Sequence, residues 1–453
     1  MCPGPRFARV SCPCLNWLVD QLLKPTTTML RHVLLRMLAL SPRSAPFMSE
    51  TRPPSAENQL PALPASTDAR RLEVDGAAAT LDELGPVVVT EDGQLRYISN
   101  WAGMTKEEQE ATQRIISKRN AQRLTRLRGG AVQTIGTYVY GGFECSFRRK
   151  PAAPGYEDRP PLMLIHPLGI GLASWFWDNY VDEWTGGELF VPDLIGCGAS
   201  EVWDPALRGL HVPLDWERQI QSLWREHVRR PMVVVSQGGI APLAVMLASR
   251  QTDLWQGKRA VRAVVLISPP ELSALADGLG EAEVTRNFQL LSITLGRPFL
   301  YRALSSRFFI DFFSRQFLFA PAEGASKDES KEQLFTRFID ACCEETSAPK
   351  RWPVLAFNAG LVGARGLREE LSLLAQPSLV LCGNNGKPLT DGGAGYEALL
   401  PRCRVLRLPE ARNVLPWEAA LQTCAAIEAF CEGGGSFRGI RWPPDGSSPS
   451  PST

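Results

Sequence analysis

Histidine is scarce in this chain. Only four histidines occur among 453 residues, and all of them precede residue 228; they are His32, His166, His211 and His227. Histidine is the usual general base for a serine nucleophile and the commonest metal ligand. A catalytic histidine drawn from the C-terminal half of the chain is therefore excluded.

The chain also has almost no net charge and almost no cysteine pairs at the spacing of metal or redox sites. The 49 basic residues nearly cancel the 48 acidic residues, so we expect no general affinity for nucleic acid. Apart from Cys12-Pro-Cys14 and Cys342-Cys343, the eleven cysteines are scattered without metal-site or redox spacing. We expect reduced thiols of an intracellular protein, with no metal and no cofactor.

The sequence has no long apolar run. Its most apolar N-terminal part, Met29 to Leu40, is interrupted by Arg31, His32 and Arg36 and is shorter than the roughly 20 residues a membrane span needs. We therefore expect no transmembrane segment. Peripheral contact with a membrane or a protein stays open.

Residues 1–58 have the composition of an organellar transit peptide. The first 54 residues carry six arginines and one lysine against Asp20 and Glu50. An alternative is an upstream extension with the true start at Met29. Residues 59–84 are rich in proline and alanine and are typical of a linker.

Residues 85–129 predict an N-terminal extension with a basic amphipathic helix. Thr105 and Glu108 form a capping box, basic residues fill the later turns up to Arg128, and Gly129-Gly130 ends the helix. Its apolar stripe is narrow. The helix either docks on the main domain or presents a basic face to a partner.

After Gly130, apolar runs alternate with amphipathic helices. Eight strands are predicted: Gln133–Tyr140, Phe143–Arg148, Leu162–His166, Leu189–Val191, Met232–Val235, Ala263–Ile267, Leu379–Leu381 and Arg404–Leu408. Continuous apolar strands separated by helices are typical of a mainly parallel sheet. The sequence therefore predicts an α/β protein with an antiparallel hairpin at its start, a core over 130–271 and 372–432, a helical cap over 272–371, and a disordered tail over 433–453.

The stretch "VVVSQGGIAPLAV", residues 233–245, reads as strand, tight turn and helix. A serine at such a turn faces the N-terminus of the helix, whose N–H groups can hold an oxyanion. Ser236 is the candidate nucleophile, and Gln237 and Leu168 are the candidate backbone oxyanion donors. Glycine is usual two residues before the serine, but Val234 occupies that position.

Three further motifs lie around this turn in a recognisable order. They are "LMLIHPLGIGLASWFWDNY", "LFVPDLIGCGASE" and "PSLVLCGNNGKPL". Together with the turn, they resemble the α/β-hydrolase fold over roughly Gly130 to Glu432. That resemblance implies a triad in the order serine, acid, histidine. Gly386 stands where it implies the acid, and Asn413 stands where it implies the histidine.

The motifs "HPLGIGLASWFW", "PDLIGCGAS", "VSQGGIAPLAV" and "ARNVLPWE" together look like a group of hydrolase-like proteins of cyanobacteria and plastids. This resemblance implies that the asparagine is a property of the group. With the transit-like N-terminus, it implies a location in the chloroplast or another plastid, in the stroma or at the thylakoid.

Three other residues are candidates for the proton acceptor of Ser236. His166 ends a predicted strand beneath the oxyanion loop, where this fold usually places a bracing residue. Glu271 follows the sixth strand and Asp391 lies in a glycine-rich loop, so either is a candidate carboxylate. His211 and His227 are expected to be exposed.

The predicted cap contains seven phenylalanines within "RPFLYRALSSRFFIDFFSRQFLFAP". Their helical spacing gives a wide aromatic face. We expect it to pack on the core and roof an apolar pocket for a hydrophobic small molecule, with Phe308, Phe312 and Trp417 as ligand-binding residues. Contact with a membrane surface is the alternative for this helix.

Three functions are consistent with these features. The first is a serine hydrolase with a degraded triad that acts on an apolar ester or a related carbonyl compound. The second is a catalytically silent protein that binds a hydrophobic small molecule or a protein partner. The third is cofactor-free lyase or isomerase chemistry in the same pocket.

Overall fold

The computed structural model describes most of the chain beyond residue 132. The described residues are 87–89, 95–97, 104–106, 109, 133–249, 254–255, 258–294, 296–321, 329–346, 350–384, 393, 395–400 and 402–432. The predicted transit peptide, linker and tail, most of the helix from Thr105 to Arg128, and both Gly386 and Asp391 lie outside them. The chain divides into two compact units, one comprising Gln21–Val132 and the other containing Gln133–Thr453.

The described part of the smaller unit is a hairpin and one helical turn. Strands β1 (Val87–Val89) and β2 (Leu95–Tyr97) pair antiparallel, as the short apolar runs around Glu91-Asp92-Gly93 predict. The Gln109 N–H donates to the Thr105 carbonyl at 2.9 Å, as in the first turn of a helix.

A sheet of eight strands forms the centre of the larger unit. Its strands are β3 (Thr134–Tyr140), β4 (Phe143–Lys150), β5 (Leu162–Ile165), β6 (Leu189–Pro192), β7 (Met232–Gln237), β10 (Val261–Ile267), β11 (Ser378–Gly383) and β12 (Cys403–Leu408). The spatial order is β12-β11-β10-β7-β5-β6-β4-β3. β4 pairs antiparallel with β3 and with β6, and the other pairs are parallel. The predicted mainly parallel sheet with an antiparallel N-terminal hairpin is confirmed. A separate small hairpin joins β8 (Leu254–Trp255) to β9 (Lys258–Arg259).

Helices cover both faces of this sheet. They are α1 (Asp178–Glu183), α2 (Leu214–Leu223), α3 (Ala241–Ser249), α4 (Leu272–Asp277), α5 (Glu281–Thr294), α6 (Pro298–Leu304), α7 (Arg307–Phe313), α8 (Glu329–Glu345), α9 (Trp352–Ala359), α10 (Arg368–Leu373), α11 (Tyr396–Leu399), α12 (Leu415–Glu418) and α13 (Ala420–Glu432). One core cluster packs α2, α3 and α10 against alternate strand residues such as Val234. The other packs α1, α12 and α13 against the opposite set, which includes Val235. Burial on both faces explains why the strands are continuous apolar runs.

The segment between β10 and β11 is helical. Its described residues contain seven α-helices, α4 to α10, and no strand. Helix α8 packs its Phe335, Phe338 and Ile339 into the same cluster as α1 and α12. The cap predicted from the sequence is therefore helical and contacts the sheet domain. None of the helices in the described parts of the chain is long and apolar enough to span a membrane.

Candidate active site

The turn after β7 does not place Ser236 at its apex. Ser236 pairs with Leu266 and Ile165 within the sheet, and its side chain is fully buried. The left-handed conformation falls on Gly238, with φ of 71°, at the start of a 3₁₀ turn that leads into α3. Among the described non-glycine residues, only Arg229 and Ser268 have a positive φ. The chain therefore turns two residues after Ser236.

Open space lies in front of this turn. A Cβ placed on Gly238 would meet no heavy atom within 4 Å, whereas one on Gly239 would lie 2.6 Å from the ring of Phe357 in α9. Gly238 and Gly239 are both half-buried. The apex of the turn therefore faces an accessible gap beneath the cap.

Gln237 directly precedes the glycine turn, and its side chain is buried. Its Nε2 donates to the Asn413 carbonyl at 2.8 Å. Its Oε1 has no hydrogen-bond partner among the described residues, although the side chain is only 4% exposed. A buried acceptor without a partner is uncommon in folded proteins.

His166 braces the loop after β5. It is fully buried; its Nδ1–H donates to the Pro167 carbonyl at 2.8 Å, and its Nε2 accepts the Leu194 N–H at 3.1 Å. These two bonds fix a single neutral tautomer. Burial lowers the pKa of His166, against the opposing charge of Asp193. The ring has no nitrogen left to accept a proton from another side chain.

Asp193 ties the loop after β6 to the loop after β5. Its buried carboxylate accepts the Ser174 N–H at 2.8 Å and the Ala199 N–H at 3.0 Å. The same loop binds the cap, because the Gly198 N–H donates to Glu345 at 2.9 Å and the Gly198 carbonyl accepts a hydrogen bond from Lys350. These bonds attach the cap to the loop that follows β6.

The stretch that contains Asn413 also fastens the cap. Asn413 Nδ2 donates to the Phe317 carbonyl at 2.6 Å, and Arg412 Nη1 donates to the Gln316 carbonyl at 2.9 Å. Glu418 accepts the Ala320 N–H on the cap. The side chain of Asn413 is therefore engaged with the cap backbone and is 6% exposed.

Solved structures share this arrangement of sheet and helices. A thermophilic esterase from Thermogutta terrifontis aligns with a TM-score of 0.50 and 18% identity over 68% of this chain and 100% of its own. A bacterial membrane phospholipase A, described as a virulence factor, aligns with a TM-score of 0.50 and 18% identity over 69% of this chain and 90% of its own. This chain has the α/β-hydrolase fold. No family model and no curated protein matches it.

The α/β-hydrolase fold places its nucleophile on the strained strand-to-helix turn. That position is occupied here by Gly238, which has no side chain to react. The prediction that Ser236 is the nucleophile is therefore corrected: the serine lies inside the strand, and its Oγ has no partner among the described residues. Gln237 is likewise not the residue after the turn, because Gly239 follows Gly238.

The other predicted members of the site fall as follows. Leu168 is buried in the loop after β5, where a second backbone donor is expected in this fold. His166 is the bracing residue and not a base. Asn413 occupies the predicted histidine stretch and binds the cap. Glu271, His211 and His227 are exposed, as ordinary surface residues are.

The predicted ligand-binding aromatics do not line a common pocket. Phe308 and Phe312 are 72% and 41% exposed, because α7 turns Ile310 inward instead. Trp417 is 4% exposed, and its Nε1–H donates to the Phe176 carbonyl at 2.7 Å. Its ring packs against Trp175 and Phe338 as part of the core. The prediction of a roof formed by Phe308 and Phe312 is wrong.

Glu418 is a residue whose role the sequence did not reveal. Besides the Ala320 N–H, its carboxylate accepts the N–H groups of Arg412, Asn413 and Val414 at 3.0, 3.3 and 3.2 Å. Glu418 is the last residue of the short helix α12, and its place two residues after Pro416 was the only available signal. Across the described residues, no group of three or more histidines, cysteines or carboxylates is placed to hold a metal.

Glu418 should give the protein a measurable pH dependence. Burial raises the pKa of Glu418 above its ordinary 4.5, although its backbone hydrogen bonds act in the opposite direction. A raised pKa in the folded state means that folding takes up a proton. The contribution of Glu418 to stability is therefore present below about pH 4.5 and is lost as the pH rises through the folded pKa.

The variant Glu418→Gln removes this titration. We expect the free energy of unfolding of the wild type to fall relative to that of the variant as the pH rises from about 4.5 to 7. Urea unfolding of both proteins at a series of pH values measures the difference. The raised pKa of Glu418 would be contradicted if the free energies of unfolding of the two proteins changed in parallel with pH. It would also be contradicted if the wild type gained stability relative to the variant as the pH rose.

Proposed function

We propose that this protein is a catalytically silent member of the α/β-hydrolase fold that binds a small molecule at the turn after β7. The observation that supports this most strongly is the glycine at the apex of that turn. A hydrolase of this fold needs a nucleophile there, and Gly238 has none. The fold and the accessible gap are retained, whereas the reacting group is absent.

The described surroundings of the turn supply no base for another nucleophile. His166 is neutral with both nitrogens engaged, and Asn413 cannot accept a proton at neutral pH. Loss of the base alone reduces turnover of a serine protease roughly 10⁶-fold. To react, Ser236 would need a base, and its Oγ would have to leave its buried position within β7. Binding therefore accounts for the site better than acyl transfer does.

The groups around the gap define the polar part of the ligand. The first N–H groups of a helix have no partner within it, so the start of the helical segment after Gly238 can donate to an oxygen of the ligand. Gln237 Oε1 accepts a hydrogen bond from a ligand hydroxyl or amide. The ring of Phe357 lies beside Gly239 and offers an apolar wall. We propose a hydrophobic molecule that carries one oxygen acceptor and one nearby donor.

Native mass spectrometry of the purified full chain tests this proposal. We expect a small molecule to co-purify with the wild type and to be lost from Gln237→Leu, because the leucine cannot accept its hydrogen bond. Gln422→Leu is the matched control, since Gln422 bonds to Glu410 on the exposed surface. The absence of any bound species, or equal occupancy in both variants, would count against a ligand at this turn.

We also propose a plastid location. It rests on the six arginines and one lysine of the first 54 residues and on the resemblance of the motifs to plastid proteins. Residues 1–58 fused to a fluorescent protein and expressed in a plant or algal cell test it. Fluorescence outside the plastid would remove this part of the proposal.

A further inference from the structure

Strand β3 (Thr134–Tyr140) forms one edge of the large sheet. It pairs with β4 on one side, and no strand among the described residues pairs with its other side. The outward N–H and C=O groups of an edge strand can pair with a strand of another chain. Charged residues, proline and bulges usually prevent such pairing, but the sequence TIGTYVY has no charge and no proline, and its pairing with β4 is regular throughout.

The opposite edge of the sheet is protected. Its strand, β12, carries Arg404 and Arg407, which are both exposed. The N–H of Val405 donates to Glu397 Oε1 on helix α11 at 2.9 Å, so this N–H is not open to a further strand. Charge and a side-chain hydrogen bond therefore block β12, whereas the part of the chain that the structure describes places no comparable protection on the outer side of β3.

The free edge carries exposed apolar side chains on one face. Ile135 is 73% exposed and Val139 is 64% exposed, and they flank the exposed Thr137 on that face. The nearest charged residues of the sheet on the same face belong to β4, where Glu144 lies opposite Val139 and Arg148 lies opposite Ile135. One acid and one base leave no net charge there, and both lie on the side away from the free edge.

The other face of β3 is covered by its own chain. Tyr138 is buried, and the edge of its ring packs against His227 with 6.2 Å between centroids. The hydroxyl of Tyr140 donates to Asp215 on α2 at 2.9 Å. Further pairing at β3 is therefore decided by the backbone edge and by the face that carries Ile135 and Val139.

We propose that two copies of the chain associate by pairing their β3 strands antiparallel. Ile135 and Val139 lie symmetrically about Thr137, the middle residue of β3. With a twofold axis at Thr137, the strands overlap completely and Ile135 of each copy lies opposite Val139 of the other. Opposite residues of antiparallel strands point to the same face with Cα atoms about 4.5–5.5 Å apart, so these four side chains cover one another. The strand is thus its own complement, as a twofold interface requires.

Sedimentation equilibrium of the full chain tests this proposal. A seven-residue edge is about 23 Å long and makes a small interface, so we expect a dimer with a dissociation constant of about 1–100 µM. Ile135→Lys/Val139→Lys should weaken it about tenfold or more, because it places like charges opposite each other. Leu373→Lys/Leu421→Lys is the matched control, since these leucines are 62% and 63% exposed on helices α10 and α13.

A charge pair tests the register. In Ile135→Lys/Val139→Glu, the lysine of each copy would lie opposite the glutamate of the other, so the dimer should form at least as well as in the wild type. The proposal would be overturned by a wild type that stays monomeric up to about 200 µM, or by a dimer that Ile135→Lys/Val139→Lys leaves unchanged. Failure of the lysine–glutamate variant to dimerise would overturn the register.

Cross-linking gives an independent check. Thr137→Cys should form a disulfide between the two copies on oxidation with copper phenanthroline, because the paired Cα atoms lie within disulfide range. Ile135→Cys should not link to its own equivalent, since the two positions would be four residues apart along the strands, about 13 Å. Peptide mass mapping distinguishes these disulfides from any formed by the native cysteines. A link between the residues at position 135, with none at position 137, would contradict the proposed pairing.

Discussion

Replacing Gly171 by alanine should destabilise the protein by about 3 kcal/mol or more. Gly171 has a φ of +72°, and a Cβ there would lie 2.2 Å from the Cys342 carbonyl oxygen in α8 and 2.7 Å from its carbon. The position of the added Cβ is set by the backbone of the loop, and the atoms it would meet belong to the backbone of α8. Neither can move aside as a flexible side chain would. The loop after β5 and the cap helix therefore fit together only with glycine at this position.

Gly141→Ala is the matched comparison. Gly141 also has a positive φ, of +58°, but a Cβ there would meet nothing within 4 Å. Its substitution should cost only the left-handed conformation, about 1–2 kcal/mol. Urea unfolding of the two variants separates the two effects. Equal losses of stability would mean that α8 does not rest on the loop after β5.

Cysteines placed at residues 238 and 236 should differ strongly in reactivity. Gly238→Cys puts a thiol in the open gap, whereas Ser236→Cys puts one at a fully buried position within the sheet. Alkylation at residue 236 would require local opening of β7, which borders β5 and β10. We expect the thiol at residue 238 to react more than about a hundredfold faster.

Peptide mass mapping after a short pulse of alkylating reagent measures both rates. It scores each site apart from the eleven native cysteines. The buried native Cys382 and Cys424 give the rate expected of protected thiols. A thiol at residue 236 that reacts as fast as one at residue 238 would show that Ser236 faces the gap after all.

The sheet was predictable because burial on both faces leaves a local signal. All six residues of β7 and all four of β5 are buried, and the first four residues of β7 and the whole of β5 are uninterrupted apolar runs. The residues at which the strands end were harder to predict. β7 continues through Ser236 and Gln237, which the sequence assigned to the turn. Polar residues at the end of a strand carry no signal that separates strand from turn.

The same ambiguity explains the wrong nucleophile. Gly238 and Gly239 can both adopt a positive φ, so the spacing alone does not say which residue turns the chain. The sequence can be aligned with the motif in two ways. Either Ser236 lies at the turn and the two glycines follow it, or Gly238 lies at the turn and Ser236 is the small residue two positions before it. The ring of Phe357 against Gly239 belongs to the cap, more than 100 residues away, and no local pattern contains it.

The cap shows a second limit of periodicity. Phe309 and Phe313 repeat at the same spacing as Phe308 and Phe312, so α7 has two aromatic stripes and the sequence does not say which is buried. Tertiary packing decided it, by turning Ile310 inward. The bonds from Asn413 and Glu418 to the cap end on backbone groups, and every residue has those groups. Such partners are invisible in a sequence.

Labelling with a serine-directed fluorophosphonate tests the central claim most directly. The folded full chain is incubated with the reagent beside an active serine hydrolase, and adducts are located by peptide mass spectrometry. The glycine at the turn and the buried position of Ser236 predict no adduct on Ser236 while the control enzyme is labelled. An adduct on Ser236 that disappears in Ser236→Ala would contradict the account and restore the protein as a serine hydrolase.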